Sequence, residues 1–317
     1  MNRASRGSRL TETCDPNLLN VLVAYPYATP PMLKRLAEYR DSIRFVLDSG
    51  AFTAWKAGNP IELDDYCRFL EQLPVKPWRY FLLDVIGDPH GTMRNYEIML
   101  KRGFNPVPIF TRGEDPSVLE DYYKTSDVVG IGGLVGTRRN RGFVNGIMKH
   151  VGNRKVHWLG FTVPEFVLHY RPYMCDSSSF DSPLRFGILS LYVGRGKIIK
   201  VRSKDFIARP SQDVIDAVRR YGEDPAKLAL KSEWVNSGRN RTTLERLTYK
   251  SAVMMNRDLE SRSGSKIFFA CTAELKVPRL HFGLDYLRTI RPHLFASKGV
   301  GVIAESALSS PQTRITT

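Results

Sequence analysis

Cysteine is scarce in this chain of 317 residues: there are four, Cys14, Cys67, Cys175 and Cys271, with no CxxC pair and no Cys-His cluster. That scatter excludes a zinc-ligand set and a disulfide framework, and leaves buried reduced thiols as the expectation. Long apolar runs are missing too. No stretch approaches the ~18 residues of a membrane-spanning helix and the amino terminus lacks an apolar segment, so the sequence predicts a soluble, cytoplasmic protein with no membrane partner. Acidic residues are few, and they are unevenly spread. Against 47 Lys and Arg stand 32 Asp and Glu, a formal charge of +15. Residues 128–164 contain no acid at all, yet they hold Arg138, Arg139, Arg141, Lys149, Arg154 and Lys155. Residues 182–204 are equally acid-free and hold Arg185, Arg195, Lys197, Lys200, Arg202 and Lys204. Such a surface attracts polyanions, which makes nucleic acid the expected partner over the blander reading of a solvated basic face.

What the chain does contain is a rhythm. Apolar runs rich in β-formers recur at residues 21–25, 44–48, 80–84, 106–110, 128–132, 156–160, 173–177 and 267–271. Helix-like segments fall between them, at 31–39, 63–73, 91–101 and 117–123, several opened by Pro or Asp. Strand-helix alternation implies a parallel sheet, and near-continuous apolarity means that both its faces are covered. Eight such units close most economically into a (β/α)8 TIM barrel, with an open doubly wound sheet as the alternative. A barrel of this kind needs about 250 residues, so residues 1–317 read as a single catalytic domain with some surplus. The surplus lies between the seventh and eighth strands. There, over roughly 182–265, the spacing breaks into a Gly-punctuated basic hairpin at 189–201 and then helical segments, read as a basic insertion at the catalytic rim. The polar ends, 1–9 and 306–317, are expected to fray.

Two of the apolar runs stop at an aspartate followed by small residues: FVLDSGAF around Asp48 and YMCDSSSF around Asp176. A run of β-formers ending this way puts a carboxylate on the carboxyl edge of a strand, where small neighbours leave room for a ligand. Asp84 ends a third run. Each alone is often a turn or cap residue, but two or more on one edge can share a pocket. Asp88, before Pro89, reads as a helix cap, and His157, inside a strand, as a hydrogen-bonded interior residue.

In order along the chain, LDSGAF at 47–52, LLDVIGD from Leu82, GIGGLVG from Gly130, WLGF at 158–161 and CDSSSF at 175–180 resemble the motifs of the tRNA-guanine transglycosylase superfamily, specifically its DNA-modifying, deazaguanine-inserting branch of phages and bacteria. The resemblance covers 21–181. It implies replacement of guanine in DNA by a 7-deazaguanine, such as 7-cyano-7-deazaguanine, through a covalent aspartyl-glycosyl intermediate, with no cofactor or metal. Asp176 is then the nucleophile, and Asp48 the general acid to the departing guanine and base to the incoming one. Asp84 would accept the adjacent N–H donors of the guanine edge, the amides of Gly133 and Leu134 would meet its carbonyl, and Phe52 and Leu159 would sandwich the ring. Ser49 and Gly160 complete the expected substrate-binding set. Arg138, Arg139, Arg141, Arg185, Arg195 and Lys197 are the expected nucleic-acid contacts. The implied partners are DNA and the free deazaguanine base. Two departures point away from tRNA, which stays the alternative: the Cys-rich zinc site of the tRNA enzymes cannot be assembled, and Phe110-Thr111 stand where those enzymes place a glutamine. A barrel hydrolase acting on glycosides or nucleosides, and a catalytically silent nucleic-acid-binding module, are the readings from other classes.

Overall fold

A computed structural model describes residues 15–134, 141–235 and 241–295. Strands β1 (Leu19–Ala24), β2 (Ile43–Asp48), β3 (Arg79–Tyr80), β4 (Ile109–Phe110), β5 (Val128–Ile131), β6 (Lys155–Trp158) and β7 (Met174–Ser177) are followed by an antiparallel hairpin, β8 (Ile188–Gly194) and β9 (Lys197–Arg202), and then by β10 (Lys266–Ala270). All but the hairpin form one eight-stranded parallel sheet in the order β3-β2-β1-β10-β7-β6-β5-β4. The two ends of that order also touch. Phe81 bridges Val107 in parallel fashion, with the Leu82 N–H donating to the Val107 carbonyl at 3.0 Å and the Val107 N–H to the Tyr80 carbonyl at 2.8 Å. The sheet therefore curls back toward itself in a TIM-barrel-like α/β fold. β4 is shorter than its apolar run because Pro106 and Pro108 cannot donate to a ladder.

Helices α1 (Pro30–Glu38), α2 (Ala51–Lys56), α3 (Leu63–Gln72), α4 (Pro89–Lys101), α5 (Val118–Thr125), α6 (Arg141–Val151) and α7 (Pro164–Tyr170) alternate with the first seven strands. Their starts follow local chemistry. Asp88 caps α4, its side chain accepting the Gly91 N–H at 2.8 Å with Pro89 in the first turn, where a missing N–H costs nothing. After the hairpin come α8 (Ser203–Ala208), α9 (Gln212–Arg220), α10 (Thr243–Ser263) and, beyond β10, α11 (Lys276–Ile290). A Thr242/Glu245 capping box opens α10 and left-handed Gly264 closes it.

Two hydrophobic clusters follow from this geometry. The larger lies between strands and helices. The smaller takes residues from strand after strand, namely Leu22, Val46, Phe81, Val107, Ile109, Val128, Met174 and Phe268, and fills the inside of the curl. Each buried side chain of this size stabilises the fold by roughly 1.5–3 kcal/mol. At the amino ends of the strands the curl is closed by Trp78 and Tyr173 under cations: Arg44 and Arg79 lie 5.0 and 5.1 Å from the Trp78 ring, and Lys266 lies 4.2 Å from that of Tyr173. A cavity of about 500 Å³ beside this belt is lined by Arg40, Arg44, Lys76 and Trp78, on the opposite side of the sheet from the aspartates that end β2 and β7.

The hairpin is held by side chains of the helical segments that follow it. The Tyr192 N–H donates to Ser251 Oγ at 2.8 Å, the Tyr192 hydroxyl meets Asp258, and the Tyr221 hydroxyl donates to the Tyr192 carbonyl at 2.6 Å. Asp258 lies in the last turns of α10, the end that feeds the amino terminus of β10. The hairpin is thus packed along α10. The physical reason is its own alternation: Leu189, Leu191 and Tyr192 are buried and need an apolar surface, and α10 supplies one.

Candidate active site at the carboxyl end of the sheet

Asp48 is the last residue of β2, and Asp176 lies near the end of β7, in register with Phe268 of β10. Both therefore face the carboxyl edge. Past Asp48 the chain turns sharply at Gly50, whose φ of 74° is left-handed and whose N–H donates to Asp48 Oδ2 at 3.1 Å. A Cβ there would lie 2.3 Å from Pro26 Cδ. Gly50→Ala is accordingly expected to destabilise the protein by about 2–4 kcal/mol in denaturant unfolding and to dislodge Asp48. Buried Ser49 ties two of the acids together, its Oγ donating to Asp84 Oδ1 at 3.2 Å.

Asp176 is almost fully buried. One of its oxygens, Oδ1, accepts twice: it lies 2.8 Å from His157 Nε2 and 3.0 Å from the Gly160 N–H. Gly160, expected to meet substrate, thus holds the carboxylate through its amide. His157, expected as a hydrogen-bonded interior residue, is fully buried inside the curl, its ring 4.8 Å from that of Phe81.

Asp48 senses both of the other aspartates. Burial pushes the Asp48 carboxyl up to about 7, with the Asp84 and Asp176 carboxylates raising it further and the Gly50 amide opposing them. Asp84 is pushed up to about 6, chiefly by burial, with the Ser49 hydrogen bond opposing and Glu114 adding repulsion. Asp48 and Asp84 are both partly exposed, so a ligand can reach them. Glu114, which the sequence reading missed, belongs to the same surroundings; burial raises it as well, and its carboxylate accepts the Thr111 N–H. Its signal was the acid in the turn after β4, masked by the surrounding TRGED polarity.

Phe52 is no core residue. It is 53% exposed on α2, stacked on Trp55 at 6.0 Å with Lys56 Nζ 4.6 Å over its ring. Leu159 is partly buried at the top of the inner cluster. Gly133 has a φ of 68°, and a Cβ would stand 2.6 Å from Arg112 Cβ, so the chain passes where only glycine fits; Leu134 beside it is buried. Of the expected nucleic-acid contacts, Arg138 and Arg139 lie outside the described residues. Arg141 spends its charge on Glu165 at 3.5 Å and lies over Phe166. Arg185 is exposed on the 3-10 helix Ser179–Phe186 that leaves the end of β7, next to exposed Phe186. Arg195 and Lys197 sit at the hairpin tip beside Tyr192, whose hydroxyl meets Asp258 of α10. Trp55 and Lys56 are rim residues that the sequence reading did not single out.

No family model matches this chain, and no curated protein does. Among the described residues there is no cluster of metal-ligating side chains, Cys67, Cys175 and Cys271 are buried free thiols, and no helix is long and apolar enough to cross a membrane. The chemistry available at the carboxyl edge is that of carboxyl groups: one fixed through a single oxygen, one poised to exchange a proton near neutrality, and one able to accept paired N–H donors.

Proposed function

We propose that this protein is a base-exchange glycosyltransferase that replaces guanine in DNA with a 7-deazaguanine, and that its fold is a TIM barrel with an insertion over roughly 182–265, between its seventh and eighth barrel strands. The observation that carries the reading is geometric: Asp48 ends β2, Asp176 lies near the end of β7 at the same edge of the sheet, and Ser49 beside Asp48 donates to Asp84. Two acids at one edge of the sheet, one to attack and one to move the proton, are what exchange at an anomeric carbon requires, and a third is free to read the base. Asp176 attacks C1′ as the bond to N9 of guanine breaks, and the departing base takes a proton from Asp48. The incoming base returns a proton to Asp48 and displaces Asp176, restoring both groups. A group that must act as acid and then as base works best with a pKa near the working pH. Asp84 accepts the guanine N–H pair, and the motif resemblance to the transglycosylase superfamily supports the same roles for Phe52, Leu159, Gly133 and Leu134.

A base gripped this way cannot stay stacked in a duplex, so the target is flipped or single-stranded, at a cost of a few kcal/mol. The exposed Phe52 and Trp55 pair with Lys56 suits that requirement, because sequence-tolerant stacking and phosphate attraction hold a displaced strand; exposed Arg185 and Phe186 offer the same chemistry on the segment that leaves β7. Trp55 is 55% exposed, so Trp55→Ala leaves the fold intact; it is expected to weaken binding to single-stranded DNA about tenfold in a filter or fluorescence titration, with a smaller effect at high salt where phosphate contacts fade. The function itself is tested by supplying labelled guanine with duplex DNA, with single-stranded DNA or with tRNA. Label in DNA is the expected result. Label in tRNA alone would move the activity to the other polymer, and release of free base without uptake would make the protein a hydrolase.

A further inference from the structure

The layer of side chains inside the curl is apolar at strand after strand, with Leu22, Val46, Phe81, Ile109, Val128, Met174 and Phe268, yet β6 contributes a fully buried imidazole. Desolvating a polar ring in such a layer is costly unless a bond compensates it. The bond is to Asp176. His157 Nε2 lies 2.8 Å from Asp176 Oδ1, and the two side chains are 0% and 8% exposed. His157 Nδ1 has no hydrogen-bond partner among the described residues, and the ring is walled by Phe81 and Phe268. An acceptor faces Nε2 and, among the described residues, no hydrogen-bond partner faces Nδ1, which assigns the proton to Nε2.

We propose that His157 is a positioning residue for the nucleophile and decides which oxygen attacks. It rests on the reading of Asp176 given above. Oδ1 is held by two donors, the His157 ring and the Gly160 amide at 3.0 Å, so Oδ2 keeps its lone pairs for C1′. In the first step the Oδ2–C1′ bond forms and the C1′–N9 bond breaks, its electron pair leaving with the base, which Asp48 protonates. Oδ1 is now the carbonyl oxygen of a glycosyl ester, a weaker acceptor than a carboxylate oxygen. In the second step the incoming base gives its proton to Asp48 and attacks C1′; the C1′–Oδ2 bond breaks and its pair returns to the carboxylate. The two donors thus favour the free carboxylate over the ester. They speed release of the intermediate and restrain its accumulation.

The test uses the full chain, a DNA duplex and labelled guanine, with the covalent protein–DNA species trapped by denaturation and counted on a gel. His157→Phe keeps a flat ring and loses the donor; His157→Gln keeps an N–H; His157→Met is a second donor-free variant should the phenylalanine not fold. The donor-free variants are expected to exchange about tenfold more slowly while the trapped fraction rises several-fold, and His157→Gln to recover most of the rate and return the trapped fraction toward wild type. A purely structural role would lower rate and trapped fraction together. Donor-free variants that match wild type in both readouts, or a glutamine variant as impaired as a folded donor-free one, would overturn the proposal. Absence of any trapped species or exchange in the wild type itself would instead sink the parent reading, and this inference with it.

Discussion

Asp176→Asn is expected to lower base exchange by about 10⁴-fold or more and to abolish the covalent intermediate, while DNA binding stays near that of wild type. The substitution is nearly isosteric. An asparagine carbonyl can accept from both His157 and the Gly160 amide, which now hold Oδ1, so the loop need not move. What is lost is the oxygen left for attack, replaced by an amide nitrogen that forms no ester. A second consequence has a defined sign. The Asp176 charge helps to raise Asp48, so its removal should bring the Asp48 carboxyl down from about 7. Rate measurements with a binding titration, and the Asp48 carbon chemical shift followed against pH, check both. A variant that still exchanges at a tenth of the wild-type rate would assign the nucleophile elsewhere.

Asp48→Asn is expected to do two opposite things, stabilising the fold at alkaline pH while crippling the reaction. The folded protein holds this proton up to about pH 7, whereas the unfolded carboxyl releases it near its ordinary value of 3.8. A raised folded pKa means that the group's contribution is intact below about pH 4, declines as pH rises between the two values and is lost above 7. At pH 8 the wild type therefore carries the full penalty of a charge enclosed beside Asp84 and Asp176, and asparagine does not. A shift of this size corresponds to ~4 kcal/mol for a fully enclosed group; partial exposure of Asp48 screens it, so on the order of 2 kcal/mol is expected. Melting curves at pH 8 should show the variant more stable than wild type, and at pH 4 the two should coincide. Exchange should fall by roughly 10²–10⁴, and the inflection near pH 7 in the wild-type rate should vanish. An asparagine variant that melts lower than wild type at pH 8 would mean that Asp48 supports the fold instead of straining it.

Much of the framework was legible because parallel strands covered on both faces leave almost unbroken apolar runs; each of the eight runs contains a strand of the sheet or, around Phe81 and Val107, the bridge that joins its ends. Boundaries were less legible where proline intervened. Pro26 turns the end of the first run into a 3-10 turn at Tyr25–Tyr27, and Pro108 cuts β4 to two residues. The meeting of Asp48, Asp84 and Asp176 could be anticipated from motif order, since a carboxylate ending a parallel strand has only one edge to face. The partner of Asp176 could not. The sequence read His157 as a hydrogen-bonded interior residue, but nothing local in VHWLG names the carboxylate it meets; that follows only from the register pairing His157 with Met174, two residues before Asp176. The hairpin's support was hidden for a similar reason. Its charges suggested a rim, but nothing local said that Leu189, Leu191 and Tyr192 would be buried against a helix some fifty residues further along the chain.

The most direct test is to quench the wild-type protein in mid-reaction with guanine-containing DNA, digest the chain and the DNA, and locate any added mass by tandem mass spectrometry. A deoxyribosyl adduct on the carboxyl of Asp176, absent without DNA and chased away by excess free guanine or a 7-deazaguanine, is the predicted result. An adduct on another residue, or active exchange with no adduct on any residue, would contradict the account.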